Sequence, residues 1–223
     1  NAITNVAGDQ NILMGNTVSN KSSTVEIPNA SGETVTVGLQ NIAVGNTVEN
    51  TGFQNLSMGN NIINIGAGNI SLGNEQVQGG AANIAMGNVA LTPGGIANIA
   101  IGNGAATAAE TGTIAMGNGA VAGAGTGVIA IGNGVAVGAS AGSIAIGNKA
   151  AVTVSGNDYQ GSIAMGNSAL AKNGDNQIAI GNSVSVQADS GIALGDDAAI
   201  TSDGDGGIAC LLYTSPSPRD PKI

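Results

Sequence analysis

One five-residue pattern of apolar and polar positions recurs along the chain. An aliphatic residue, Ala, a second aliphatic residue, Gly and Asn follow one another in "IAVGN" from Ile42, "IAMGN" from Ile84 and "IAIGN" from Ile144. Ile stands three positions before the Gly in eleven of twelve copies, and Leu56 is the exception. Because side chains two residues apart share one face of a strand, the pattern predicts a short β-strand in each copy.

The spacing of the copies predicts a solenoid. Successive pattern glycines lie mostly 14 or 15 residues apart, a short period that is typical of stacked coils. This length allows two strands of about five residues and two tight turns. It is too short for two helices, and a helix tolerates Gly poorly. We predict an all-β fold, a parallel β-roll or β-solenoid with 14–15-residue coils.

The alternation within each strand leads to an expectation about its two faces. We expect the two aliphatic positions to stack between coils as one column, and the residue between them to point the other way. That middle residue is Ala in nine copies. A column of Ala with almost no charge predicts close packing against another backbone, which would make the chain an oligomer. The alternative is an exposed, inert face of small residues.

The Gly-Asn pair that closes eleven of the twelve copies, the last having Asp196, predicts a tight turn, since both residues readily adopt positive φ. In register, the Asn side chains are expected to form a hydrogen-bonded ladder. The predicted structural turns are Gly45 and Asn46, Gly87 and Asn88, Gly102 and Asn103, Gly117 and Asn118, Gly132 and Asn133, Gly147 and Asn148, Gly166 and Asn167, and Gly181 and Asn182.

Two segments depart from the period and divide the chain. Residues 21–37 alternate apolar and polar residues around "PNASG", which predicts a hairpin-like excursion or a degenerate coil. Residues 154–161 are extra, and the resulting loop is expected to expose Tyr159 as a candidate partner contact. Residues 1–209 then form one β-roll domain, and residues 210–223 form a tail without the repeat.

Composition and charge exclude several classes of function. The chain has 38 Gly, three aromatic residues and a net charge of -9, with no His and one Cys. Few aromatic residues indicate a thin core. The absence of a basic cluster argues against a nucleic-acid partner, and the lack of His removes His-based catalysis and His-ligated zinc. We expect no enzyme activity, no metal and no cofactor.

The phrases "SIAIGNKA", "SIAMGNSALA" and "QIAIGNSVSV" closely resemble the head repeats of YadA-like trimeric autotransporter adhesins. The resemblance covers residues 11–209. It implies a left-handed β-roll, a homotrimer, and a bacterial surface fibre that binds extracellular matrix or a cell-surface ligand. It also implies partner-binding positions in the copies closest to the family's matrix-binding motif. These are Asn41, Ala43, Asn83, Ala85, Asn98 and Ala100.

The two ends of the chain complete the sequence-based expectations. The tail from Cys210, "CLLYTSPSPRDPKI", resembles translated sequencing-adapter sequence, and we expect it to be non-native. Neither a stalk nor a membrane anchor is visible, so attachment to an outer membrane would need further segments. The leading function is an adhesin head segment at the cell surface. The alternatives are an ice-binding β-solenoid and a structural segment of a phage or appendage fibre.

Overall fold

The computed structural model describes residues 2–5, 11–21, 27–28, 34–35, 40–153 and 160–211. Throughout this part of the chain there is no helix, and therefore none that could span a membrane. The strands are β1 (Ile3–Asn5), β2 (Ile12–Gly15), β3 (Val18–Lys21), β4 (Ile27–Pro28), β5 (Thr34–Val35), β6 (Ile42–Phe53), β7 (Leu56–Ala67), β8 (Ile70–Gln78), β9 (Ile84–Asn88), β10 (Leu91–Thr92), β11 (Ile99–Ile101), β12 (Ala106–Thr107), β13 (Ile114–Met116), β14 (Val121–Ala122), β15 (Ile129–Asn133), β16 (Ala136–Val137), β17 (Ile144–Asn148), β18 (Ala151–Thr153), β19 (Ile163–Asn167), β20 (Leu170–Lys172), β21 (Ile178–Ile180), β22 (Ser185–Val186), β23 (Ile192–Gly195), β24 (Ala199–Ile200) and β25 (Ile208–Leu211).

The strands form a parallel β-solenoid of about 12 coils, which confirms the predicted fold class. Most coils contribute a first strand with the repeat pattern and a second strand after the corner, whereas β6, β7 and β8 continue through the corner and include both parts. Equivalent positions lie in register in adjacent coils, as with Ala130 beside Ala145 and Gly132 beside Gly147. The parallel pairing follows from the repeat, because each coil offers its neighbour the same row of backbone groups.

The interior of the coil is narrow, and the first strand contributes mainly small side chains to it. Ala130 of a first strand is fully buried, as is Val135 of the same coil, and the largest fully buried side chains, Ile62 and Gln76, also come from the part of the coil after the corner. The expectation that Ala faces outward is wrong. The side chains that follow the corner fill most of the interior, so the space left opposite them suits the small middle residue of the first strand, and the aliphatic pair points outward.

The corner after the first strand differs in one detail from the predicted turn. The pattern Gly has positive φ, as at Gly45 (145°), but the following Asn does not. The left-handed conformation falls instead on the next residue, for example Thr47 (φ 55°) or Val89 (φ 55°). Hydrogen bonds to the neighbouring coil hold this bend, since the amide of Val89 donates to the carbonyl of Asn74 (2.9 Å).

The interruptions of the repeat are only partly described. Within the excursion at 21–37, β4 and β5 pair antiparallel, with Ile27 beside Val35. In the loop insertion, residues 154–159 lie outside the described residues, and Tyr159 is among them. At the other end, β25 continues to Leu211 and pairs with β23. Regular pairing therefore extends two residues beyond the expected boundary at residue 209, because backbone hydrogen bonds do not need the repeat side chains.

Candidate functional site

Two files of large apolar side chains run along the outside of the first strands. One file is the residue three before each pattern Gly, and the other is the residue one before it. We call these two files the apolar strip. It comprises Ile12, Met14, Ile42, Val44, Leu56, Met58, Ile70, Leu72, Ile84, Met86, Ile99, Ile101, Ile114, Met116, Ile129, Ile131, Ile144, Ile146, Ile163, Met165, Ile178, Ile180, Ile192 and Leu194.

The apolar strip is accessible in the single chain and carries no charged residue. Relative exposure reaches 60% at Met14 and 45% at Met58, and most of the remaining members are partly exposed. Register is kept from coil to coil, as with Met116 beside Ile131, so the strip is continuous. A continuous apolar surface of this kind normally marks an interaction site.

The predicted partner-binding residues lie inside the coil instead. Ala43, Ala85 and Ala100 are fully buried in the interior. Asn41 and Asn83 are also fully buried, as is the equivalent residue Asn98. None of the six side chains is accessible to a partner in this conformation. The sequence pattern identified the strands correctly, but these six side chains face the interior of the coil and not its surface.

The buried asparagines form an internal ladder at the second corner of the coils between Asn41 and Asn98. The Oδ1 atom of Asn41 accepts from the amide of Asn55 (2.8 Å), and its Nδ2 donates to the carbonyl of Gly52 (2.7 Å). Asn83 and Asn98 repeat this arrangement, with 2.8 Å between Asn83 Oδ1 and the Asn98 amide. These contacts satisfy buried backbone groups, so the role of this column is structural.

A second column of asparagines follows the first corner and is exposed. Nδ2 of Asn133 donates to Oδ1 of Asn148 (3.3 Å), Asn148 donates to Asn167 (3.0 Å), and Asn167 donates to Asn182 (2.8 Å). The series ends where Asn182 donates to the carboxylate of Asp196 (2.6 Å). The predicted ladder is therefore confirmed for these coils.

The outer side of the second strands offers a different surface. Its central file runs from Glu49 through Ile63 and Val77 to Leu91, one residue per coil. Ile63 and Val77 are 40% and 45% exposed. Further along, the same file mixes Ala106, Ala136 and Ala151 with single larger residues, Val121 and Leu170. We call Ile63, Ile65, Val77 and Leu91 the outer patch; it is the part of this face where large apolar residues occupy successive coils.

The described cavities and titratable groups give no arrangement for acid–base or metal chemistry. An open depression of about 390 Å³ at the second corner is lined by Glu110, Ala124, Gly125, Thr126, Ala139 and Ala141, so Glu110 is its one titratable group. In the described ranges, no three metal-ligating side chains cluster. There, Lys21 and Glu49 form the one ion pair, with 2.6 Å between Nζ and Oε1.

Sequence reasoning missed the apolar strip as a surface, although the sequence contains a signal for it. Large residues occupy both strip positions in every copy, whereas the middle position accepts Ala, Ser and once Leu13. The preference for small residues marks the confined side of the strand.

Comparison of the chain with protein-family models, curated proteins and solved structures finds no match.

Proposed function

We propose that the chain is the head segment of a surface adhesin fibre, assembled as a homotrimer through the apolar strip. The supporting observation is the strip itself, which runs the length of the roll without a charge. Twelve coils at about 4.8 Å each give a rod of roughly 58 Å, and a strip about 10 Å wide then covers on the order of 600 Å². A monomeric protein rarely leaves so large an apolar surface in water.

The geometry of the strip favours parallel association of identical chains. Because the strip lies along the rod, copies related by an axis parallel to the rod bring the same coil to the same height. Ile131 of one chain then meets equivalent residues of the others, and no charge is buried. The resemblance to trimeric adhesin heads selects three chains rather than two. In this proposal the apolar strip, and not the Ala column, forms the contact between chains.

The rigid rod would carry the binding surface away from the cell. With the strip covered, the second-strand face of each chain points outward, and the outer patch occurs three times around the fibre. Weak contacts with extracellular matrix or a cell-surface ligand would then add through multivalency. Attachment to the bacterial outer membrane would be provided by other segments of the fibre.

Oligomeric state is the first test. Light scattering after gel filtration is expected to give three times the 21.3 kDa chain mass. Ile131→Glu is expected to lower the mass to that of one chain, because burial of unpaired carboxylates costs several kcal/mol. The matched control is Ala136→Glu, which places the same charge on the outer face of the same coil. A monomeric wild-type chain, or equal masses for the two variants, would contradict assembly through the strip.

Attachment is tested separately with surfaces coated with type I collagen and with cultured-cell monolayers. The wild-type chain is expected to bind at least one of them, and Ile63→Thr with Val77→Thr to reduce binding several-fold. Ala106→Thr with Ala136→Thr changes the same face outside the outer patch and is expected to bind normally. Thermal hysteresis with no attachment would instead support the ice-binding alternative, and absence of both would favour a purely structural fibre segment.

A further inference from the structure

All five methionines of the chain occupy one position of the repeat. Met14, Met58, Met86, Met116 and Met165 each stand directly before a pattern Gly, in the same file of the apolar strip. Each is at least 37% exposed in the single chain. The other copies carry Ile, Leu or Val at this position, so Met is one of several apolar residues that the fold accepts there.

Methionine differs from these alternatives in its chemistry. A lone pair of the thioether sulfur attacks an oxygen of hydrogen peroxide, the O–O bond breaks, an S–O bond forms, and water leaves. Sulfur loses two electrons and the peroxide gains them. Hypohalous acid performs the same two-electron oxidation. The product, methionine sulfoxide, is polar and accepts hydrogen bonds, and it disrupts apolar interfaces that contain it.

The location of the sulfur atoms determines which structure an oxidation would disturb. The Met side chains project away from the coil interior, which is filled by Ala and Val at the alternate positions. An added oxygen therefore meets solvent in the single chain and leaves the interior packing and the backbone pairing unchanged. Between assembled chains, the same oxygen would be a buried acceptor without a donor, since the strip supplies only hydrocarbon and sulfur.

We propose that the five methionines are an oxidation site through which peroxide or hypohalous acid prevents assembly of the chain while leaving the β-roll folded. This inference rests on the proposed trimer. The sensitive species is the unassembled chain, in which the sulfur atoms are exposed. Once the strip is covered, the same atoms are protected, so an assembled fibre resists oxidant that blocks its precursor.

The test oxidises the chain before it assembles. A Cys210→Ala background removes the exposed thiol, which lies beside Leu194 in the same file. The chain is oxidised with hydrogen peroxide in denaturant, checked by mass spectrometry for five added oxygen atoms, and refolded. Light scattering is expected to show the single-chain mass, while circular dichroism keeps its β-signal. Reduction by methionine sulfoxide reductases is expected to restore the three-chain mass.

The matched control replaces all five methionines with Ile, the residue that Ile101, Ile131, Ile146 and Ile180 already provide in this file. It is expected to assemble after the same treatment. A Met→Leu version serves if the Ile version does not fold. If untreated wild-type protein is already monomeric, both the proposed trimer and this inference are wrong. A trimer after full oxidation, a lost β-signal, or loss of assembly in the control would overturn the inference alone.

Discussion

At the residue scale, the pattern glycines are required by the close approach of neighbouring coils. A Cβ added to Gly59 would lie 1.8 Å from the carbonyl oxygen of Gly73, and the φ of Gly59 is +145°. A real side chain cannot occupy that position unless the two coils separate. The glycine therefore allows the backbone of one coil to lie directly against the backbone of the next coil, in addition to providing conformational freedom.

Gly59→Ala is expected to destabilise the roll by more than about 4 kcal/mol, because it breaks the pairing of β7 with β8. Gly119 provides the control, since its φ is +62° and an added Cβ meets nothing within 4 Å. Gly119→Ala is expected to cost only about 1–2 kcal/mol, the penalty for the left-handed conformation. Urea unfolding followed by circular dichroism measures both; similar losses would show that φ, and not the close contact, sets the requirement.

The two asparagine columns differ in burial, and their energetic roles should differ accordingly. Asn69 is fully buried, its Nδ2 donates to the carbonyl of Gly80 (3.1 Å), and its Oδ1 accepts from the amide of Asn83 (2.9 Å). Asn148 belongs to the exposed ladder, and its side chain bonds to the side chains of Asn133 and Asn167.

Asn69→Ala is expected to lower the free energy of unfolding by about 1–3 kcal/mol, since it leaves the amide of the buried residue Asn83 without its acceptor and removes one of the two donors to the carbonyl of Gly80. Asn148→Ala is expected to cost less than about 1 kcal/mol, because water replaces the lost bonds. Chemical denaturation curves of the two variants provide the comparison. An equal loss would mean that the exposed ladder stabilises the coils as much as the buried one.

At the element scale, the first strand of each coil has a small-residue side and a large-residue side. Ala130 faces the second sheet across the narrow interior, and Ile131 faces outward. The alternation of the sequence is the same whichever face is buried. The space inside the coil decides the orientation, because the inward residue of the first strand shares a narrow interior with the side chains that follow the corner.

Ala130→Ile is therefore expected to destabilise the coil by about 1–3 kcal/mol through overpacking. Ile131→Ala is expected to change the stability of a single chain by no more than about 0.5 kcal/mol, while weakening association of chains. Unfolding measured at low protein concentration, together with light scattering, separates the two effects. The reverse ranking would restore the orientation first expected from the sequence.

At the scale of the whole molecule, the contacts of the β-sheet join each coil mainly to its neighbours. β19, for example, pairs with β17 and β21. Within the described residues, stability is then distributed along the rod from coil to coil. This organisation suits a spacer that must keep its length under changes at one end.

A chain that stops after Lys172 lacks β21–β25 and is expected to remain folded. Its rod should be shorter by roughly 12 Å, as about two and a half coils at about 4.8 Å are removed. Small-angle X-ray scattering measures the change in maximum dimension, and circular dichroism reports the β-signal that remains. Complete unfolding of the shortened chain would show that the terminal coils are needed by the rest.

The sequence by itself determined the class of fold, the coil length, the corners and the exposed Asn ladder. A strict period forces equivalent residues such as Gly132 and Gly147 into register, and Gly-Asn is chemically suited to a corner. Tertiary structure alone decided which face of the first strand is buried and which residue at the corner adopts the left-handed φ. The space between the two sheets assigns Ala43 to the interior and Met58 to the surface, and a hydrogen bond to the preceding coil accompanies the left-handed φ of Val89. The space between the sheets and the contacts between coils both depend on residues distant in sequence. Neither can therefore be read from the alternation of residues along one strand.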